Sequence, residues 1–288
     1  MHDDAGNPQR YNLAISGDFQ VTAVYSGLFG LPETVSAPAT FTINPGARVS
    51  GTVRSALDGI GLAGATVRFL KNNVTSTIAT TDSTGKYSVS DLANGSYSLE
   101  ARAPGFLRAT QAIEITRRAD YSADFNLSAL LTEGELRLVL TWGDAASGAP
   151  SDLDSHLWLP AEMKYHIYYS QKGLTQPPYD TCPFAGLDLD DTSWSGPETT
   201  TIGQRVRTGN YVYAIYNYSG TGSLATSAAQ VQVYDAQGLR ASYAVPATGS
   251  GRWWKVLSLD GATGGITEIN ELTDVNPEPY PESNVCPN

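Results

Sequence analysis

Apolar and polar side chains alternate with period two along much of the chain, as in Phe19-Gln20-Val21-Thr22-Ala23-Val24-Tyr25, whereas the helical spacing i, i+3, i+4, i+7 is scarce. Period-two alternation sends successive side chains to opposite faces of a strand, so one face can be buried and the other wetted. Such segments recur between clusters of Gly, Asn, Asp and Pro, the rhythm of sandwiches and barrels. The pattern predicts an all-β chain of tandem β-sandwiches, immunoglobulin-like or transthyretin-like, with little helix. Residues 1–45 offer strands around Tyr11 to Ser16, Phe19 to Tyr25 and Ala39 to Ile43, ending at Asn44-Pro45-Gly46. These are too few to close a core, so the segment reads as a partial immunoglobulin-like unit that must pair with something. It either packs on the following domain or takes its missing strands from another copy, a head-to-tail exchange that does not close and would build a filament.

The next unit spans 47–128. Its landmarks are Val49-Ser-Gly51-Thr-Val53, Leu62 to Phe69, the loop Asp82 to Gly85 between two alternating strands, Asn94-Gly95, and Ala103-Pro104-Gly105-Phe106. Asn94-Gly95 suits a hairpin turn with positive φ, and Tyr87, Tyr97 and Phe106 fall on one buried face. This ordered set of glycine turns resembles the carboxypeptidase regulatory-like domain, a transthyretin-like sandwich. The resemblance implies a non-catalytic spacer or binding scaffold.

A third unit, 135–270, contains Asp152-Leu153-Asp154-Ser155-His156, then Leu187-Asp188-Leu189-Asp190-Asp191 before Gly196-Pro197-Glu198, and late in the chain Trp253-Trp254. These features resemble the YfaP-type domain, which implies a β-sandwich of bacterial secreted and surface proteins without a settled activity. Residues 271–288, rich in Pro, Asn and Glu, read as an extended tail.

Composition narrows the partners. Of 288 residues 41% are hydrophobic and 16% charged, a core-forming balance. A net charge of -11 has the wrong sign for nucleic acid or an anionic membrane surface. No stretch approaches the ~18 apolar residues of a membrane span, so no membrane insertion is expected, and the first residues lack the apolar core of a signal peptide. Cys182 and Cys286 sit far apart among Pro and Asp, unlike a metal or redox pair. They form either an extracellular disulfide or two unrelated thiols.

Candidate chemistry centres on the acids between Pro150 and Thr200, a stretch whose bases are Lys164 and Lys172. On a strand Asp152, Asp154 and His156 share a face, as do Asp188 and Asp190. Were these strands neighbours, four carboxylates would converge and require a cation or raised pKa values. Calcium suits them, with Asp191 and Glu198 as further ligands, because it accepts six to eight oxygens. The alternative is that these side chains accept backbone N–H bonds in turns. A zinc site from His156, His166 and Asp154 has little behind it, since no HxH, HExxH or Cys cluster occurs. No nucleophile elbow, Walker loop or dinucleotide fingerprint is present, and no catalytic residue is assigned. Aromatic residues could stack on sugars: Trp142, Trp158, Trp194, Trp253, Trp254 and the Tyr-rich runs 165–169 and 211–218; plain cross-strand packing is the stronger reading of alternating Tyr, and Trp194, in a loop beside Gly196-Pro197, is the exception. The expectation is a non-enzymatic secreted or cell-surface protein, structural or adhesive. Its partners would be further copies of itself, another surface protein or a glycan; the alternative is an accessory carbohydrate-binding or regulatory module of a secreted hydrolase.

Overall fold

The structure, a computed structural model, describes residues 17–22, 24–25, 34–43, 46–206 and 208–286. It is nearly all β: among the described residues helix is confined to two single 3₁₀ turns, Ala145–Ser147 and Leu224–Thr226. The expected strand at 11–16 lies outside the described residues. The other N-terminal strands pair among themselves, Gly17–Val21 with Ala39–Ile43 and Val24–Tyr25 with Thr34–Val35.

The second unit is a sandwich of two sheets. One runs in the order Ala109–Ile115, Gly95–Arg102, Thr66–Lys71, Val74–Thr80. In the other, Ala47–Ser55 pairs antiparallel with Lys86–Leu92 and parallel with Asp120–Ser122 and Phe125–Leu127. Val49, Val53, Val67, Phe69 and Leu99 close the core between them. Tyr87 and Tyr97 are buried in it, from the two sheets rather than on one face, their hydroxyls donating to the carbonyls of Ala123 and Ala93 at 2.6 and 2.9 Å, while Phe106 is half-buried against it. The 82–85 loop closes because Asp82 Oδ1 accepts from the backbone N–H groups of Thr84 and Lys86. Gly85 then turns at φ +80°, where a Cβ would meet the Val53 carbonyl at 2.5 Å, so only glycine fits.

In the third unit one five-stranded sheet runs Ala185–Leu189, Glu198–Ile202, Leu136–Thr141, Gln230–Asp235, Gly238–Ala244. The facing sheet runs His166–Ile167, Leu153–Trp158, Asn210–Asn217, Trp253–Asp260, Ile266–Thr273. Leu138, Leu140, Leu153, Leu157, Tyr213 and Trp254 belong to the core between them. The last strand runs past 270 to Thr273, because Glu271, Leu272 and Thr273 still pair with Lys255, Trp254 and Trp253.

Units two and three meet through packed side chains. Ala56, Leu131, Val139 and Tyr234 form a buried cluster, and Thr199 Oγ1 donates to the Ala56 carbonyl at 2.5 Å. Buried Arg137 donates from Nη1 to Ser128 Oγ and the Ala129 carbonyl, and from Nε to Thr201 Oγ1, each at 3.0 Å.

Cys182 and Cys286 form a disulfide. It pins a tail that satisfies otherwise open backbone. Tyr280 OH donates to the carbonyls of Leu159 and Tyr165, Asn284 Oδ1 accepts from the His166 N–H, and the N–H groups of Ser283 and Asn284 reach the Lys164 carbonyl. A loop closed across a separation of 104 residues should stabilise the fold by restricting the unfolded chain. Cys286→Ser is therefore expected to lower unfolding free energy in urea by about 2–5 kcal/mol relative to the oxidised protein; equal midpoints would remove the tail from the folding unit.

Candidate functional site

Strand Leu153–Trp158 is protected unevenly. Along one side it pairs fully with Asn210–Asn217, but on the other the short strand His166–Ile167 covers only Leu157 and Trp158. The Ser155 N–H on the open stretch needs an acceptor, and Glu198 supplies it from the facing sheet: Oε1 accepts from both Ser155 N and Ser155 Oγ at 2.6 Å. Glu198 is wholly buried, and its second oxygen, Oε2, has no hydrogen-bond partner.

Glu198 is not the lone acid there. Asp154, Asp190 and Glu198 each offer a carboxylate oxygen, and the three lie within 4.8 Å of one another. Asp154 Oδ2, Asp190 Oδ1 and the neighbouring Asp152 Oδ1 are likewise buried without a partner. The one ion pair that reaches the cluster among the described residues is Lys172 Nζ to Asp190 Oδ2, 2.7 Å. Burial drives Asp154 up to about 7, with Asp152 and Asp190 adding repulsion. Burial also raises Glu198 well above the usual carboxylate range, against the pull of its bonds to Ser155 and with the push of Asp154 and Asp190. Asp152 is raised by burial and by Asp190 and Asp191. Each buried acceptor left unmade costs about 1–3 kcal/mol. An all-carboxylate donor set is the chemistry of a hard cation, and calcium, bound by oxygen at about 2.3–2.6 Å, suits it.

The structure does not bring the other sequence candidates into this cluster. Asp188 is separated by a β-bulge: Leu187 pairs with Thr200 while Leu189 pairs with Thr199, so two steps on one strand meet one on the other. The bulge breaks the alternation after Asp188, so Asp188 and Asp190 no longer share a face. The Asp188 oxygens instead accept from Tyr179 OH and Thr201 Oγ1, both at 2.5 Å, beside the buried Arg137 guanidinium at the junction with unit two. Asp191 caps its own turn, accepting from Ser193 N and Oγ. Trp194 is 46% exposed and donates from Nε1 to the Ala149 carbonyl.

The two histidines are engaged with each other and with the tail. His156 Nδ1 and His166 Nε2 lie 2.9 Å apart, and His166 Nδ1 sits 2.7 Å from Glu282 Oε1, which also accepts from Trp158 Nε1. With Nδ1–H of His166 given to Glu282, its Nε2 accepts from His156, and His156 Nε2 remains a buried lone pair. Sequence reasoning missed Ser155 and Lys172. Their roles follow from which strand faces which, and no local motif signals them.

Residues 48–128 match the model of the carboxypeptidase regulatory-like domain. The match covers the second unit and stops before the third. No curated protein matches the chain. Similar solved structures include a homologue of telluride resistance protein from Streptomyces coelicolor A3(2), 12% identical over 54% of this chain and 100% of that one, TM-score 0.40. Others are the minor pilin of Streptococcus agalactiae, 15% identical over 33% and 54%, TM-score 0.25, and a type II cohesin–X-dockerin complex from Acetivibrio cellulolyticus. The last is 24% identical over 29% of this chain and only 58% of that one, TM-score 0.25. None of these likenesses bears on function.

Burial lowers His166 to about 3, and burial together with His166 lowers His156 well below its ordinary value. The unfolded chain therefore takes up protons near pH 6.5 that the folded protein refuses. The stability tied to these rings is complete above about 6.5 and is lost as pH falls toward about 3. The raised carboxylates slope the other way, so the histidine effect is read by difference. On acidification from about pH 7 to about pH 4, His166→Gln should lose roughly 1–3 kcal/mol less stability than wild type in urea titrations. Parallel curves would mean that the rings accept protons in place.

Proposed function

We propose that this is a non-enzymatic, extracellular or cell-surface β-sandwich element, structural or adhesive in role, whose third unit is clamped by a calcium ion. Asp154, Asp190 and Glu198 hold the ion, with Asp152 beside them. The observation that carries the reading is Glu198: a fully buried carboxylate with one oxygen unpartnered, grouped with buried Asp154 and half-buried Asp190. Asp154 belongs to one sheet of the sandwich, Glu198 to the other, and Asp190 follows the latter's edge strand, so the ion would join the sheets across an open edge.

The disulfide supports an oxidising, extracellular setting. Among the described residues no helix is long and apolar enough to cross a membrane. The packed junction through Leu131, Val139 and Tyr234 supports a role in which two units are held stiffly rather than strung on a free linker. His156 and His166, buried and spent on each other and on Glu282, are poorly placed as general bases.

Binding to the folded state alone raises stability by RT ln(1 + [L]/Kd), about 2.7 kcal/mol at a hundredfold excess over Kd. Melting in millimolar calcium should therefore exceed melting in EDTA by several degrees. Asp154→Asn should abolish that difference while raising the melting temperature in EDTA, since it removes a buried repulsive charge. Superimposed wild-type curves would reduce these acids to turn and edge formers.

A second reading, assembly of copies by strand exchange, is favoured by one observation. Among the described residues the N-terminal strands form only two-stranded sheets, which expose edges. Light scattering on the full chain should then give a mass above the monomer that falls when residues 1–45 are deleted. A monomeric full chain with an unchanged melting temperature after deletion would end this reading.

A further inference from the structure

The large hydrophobic side chains left exposed among the described residues include three aromatics, Tyr169, Trp194 and Tyr218, at 42, 46 and 49% exposure. All three belong to segments that touch the carboxylate cluster. Tyr169 lies in a tight turn closed by reciprocal backbone bonds between Tyr168 and Gln171, and the next residue, Lys172, makes the ion pair with Asp190. Tyr218 precedes Ser219, whose N–H donates to the carbonyl of Asp152 at 3.3 Å. Trp194 follows Asp190 and Asp191 in one loop and donates to Ala149, just ahead of Asp152. The rings of Tyr169 and Tyr218 meet edge to face with centroids 5.3 Å apart.

Among the described residues from 46 on, the other aromatics are buried or half-buried. Trp142, Trp158, Trp253, Trp254, Tyr211, Tyr213 and Tyr234 are buried. Among the described residues the exposed aromatic side chains thus gather beside the carboxylate cluster, on the side of the partly exposed Asp190 and Lys172 rather than of wholly buried Glu198. Asp154, Asp190 and Glu198 converge and each has an unpartnered carboxylate oxygen, and Asp152 beside them, outside that group of three, supplies at most a fourth. Calcium takes six to eight, which leaves roughly two or more positions for oxygens from outside the protein. Two adjacent hydroxyls of a sugar ring can fill a pair of such positions, while the ring's apolar C–H face lies on an aromatic side chain. Hydroxyls also accept the Lys172 ammonium and donate to Asp190, so the ring edge is matched as well as its face.

We infer that the mouth of the cation site binds a neutral hexose of a glycan, its vicinal diol on the calcium and its ring against Tyr169 and Tyr218, with Trp194 extending the surface. This rests on the calcium reading above and names a ligand class for the same site.

The test uses the full chain on immobilised mannan and on immobilised galactan, which differ in diol stereochemistry, with melting in calcium and in EDTA recorded alongside. The expected result is retention on one of the two resins in calcium, release by EDTA, and a Tyr169→Ala/Tyr218→Ala double variant that keeps the calcium-dependent rise in melting temperature. That variant should bind the retaining resin at least about tenfold more weakly. A Trp194→Ala variant should show a smaller loss with the same calcium response. A calcium-dependent melting shift without retention on either resin overturns the glycan inference and leaves the calcium site standing. So does retention that survives EDTA or the double variant. Absence of any calcium shift overturns both.

Discussion

Free strand edges and open outer faces have to be closed, because a buried backbone N–H or carbonyl without a partner costs about as much as the hydrogen bond it forgoes. The third unit closes its own in three ways. The open half of strand 153–158 is met by the Glu198 carboxylate across the sandwich. The far end of that strand and its short neighbour are met by the tail, through Tyr280, Ser283 and Asn284. The outer face of strand 198–202 is met by unit two, where Thr199 reaches Ala56 and Thr201 joins Arg137 to Asp188.

The first of these closures generates the chemistry. A carboxylate placed to cap an N–H in the interior brings a second oxygen with it, and that oxygen has to be matched by a proton or a cation. Around it the fold gathers Asp154 and Asp190 rather than a base, which deepens the deficit of positive charge instead of relieving it. Lys172 compensates from the solvent side and bonds only one of the Asp190 oxygens. Stability here is thus set by what occupies the cluster. A comparable group at Asp188, with two hydroxyl donors and a guanidinium nearby, is satisfied from within the protein and serves the junction.

The second closure ties the tail to an aromatic stack. Trp158, His166 and Tyr168 lie nearly parallel, with His156 packed against them and Trp253 across its edge, and Glu282 holds the stack through Trp158 and His166. Histidine behaves here as a flat, neutral packing element with two directed nitrogens. Its cost is desolvation of the protonated form, and its benefit is a fixed arrangement of rings on a face that would otherwise lie open.

Period-two alternation and glycine-punctuated turns suffice to determine the all-β class and the second unit with its Asp82 to Gly85 loop, and local composition shows the concentration of acid between Pro150 and Thr200. Each of these is written in short stretches where neighbours in sequence are neighbours in space. Two cysteines allow one pairing, but that they bond was decided by the fold bringing the tail to Cys182. Tertiary structure alone decided which acids meet. Asp154 and Asp190 come together with Glu198 because two sheets face each other, whereas a bulge between Leu187 and Leu189 takes Asp188 and Asp190 to opposite faces of their strand, an effect set by the partner strand. It also decided that Tyr169 and Tyr218, ordinary members of Tyr-rich runs, stand beside the cluster while the other tyrosines of strand 210–217 pack into the sandwich or onto its outer face. Local alternation records which side of a strand a residue takes, but not which strand lies opposite, and the site is made of residues that are opposite.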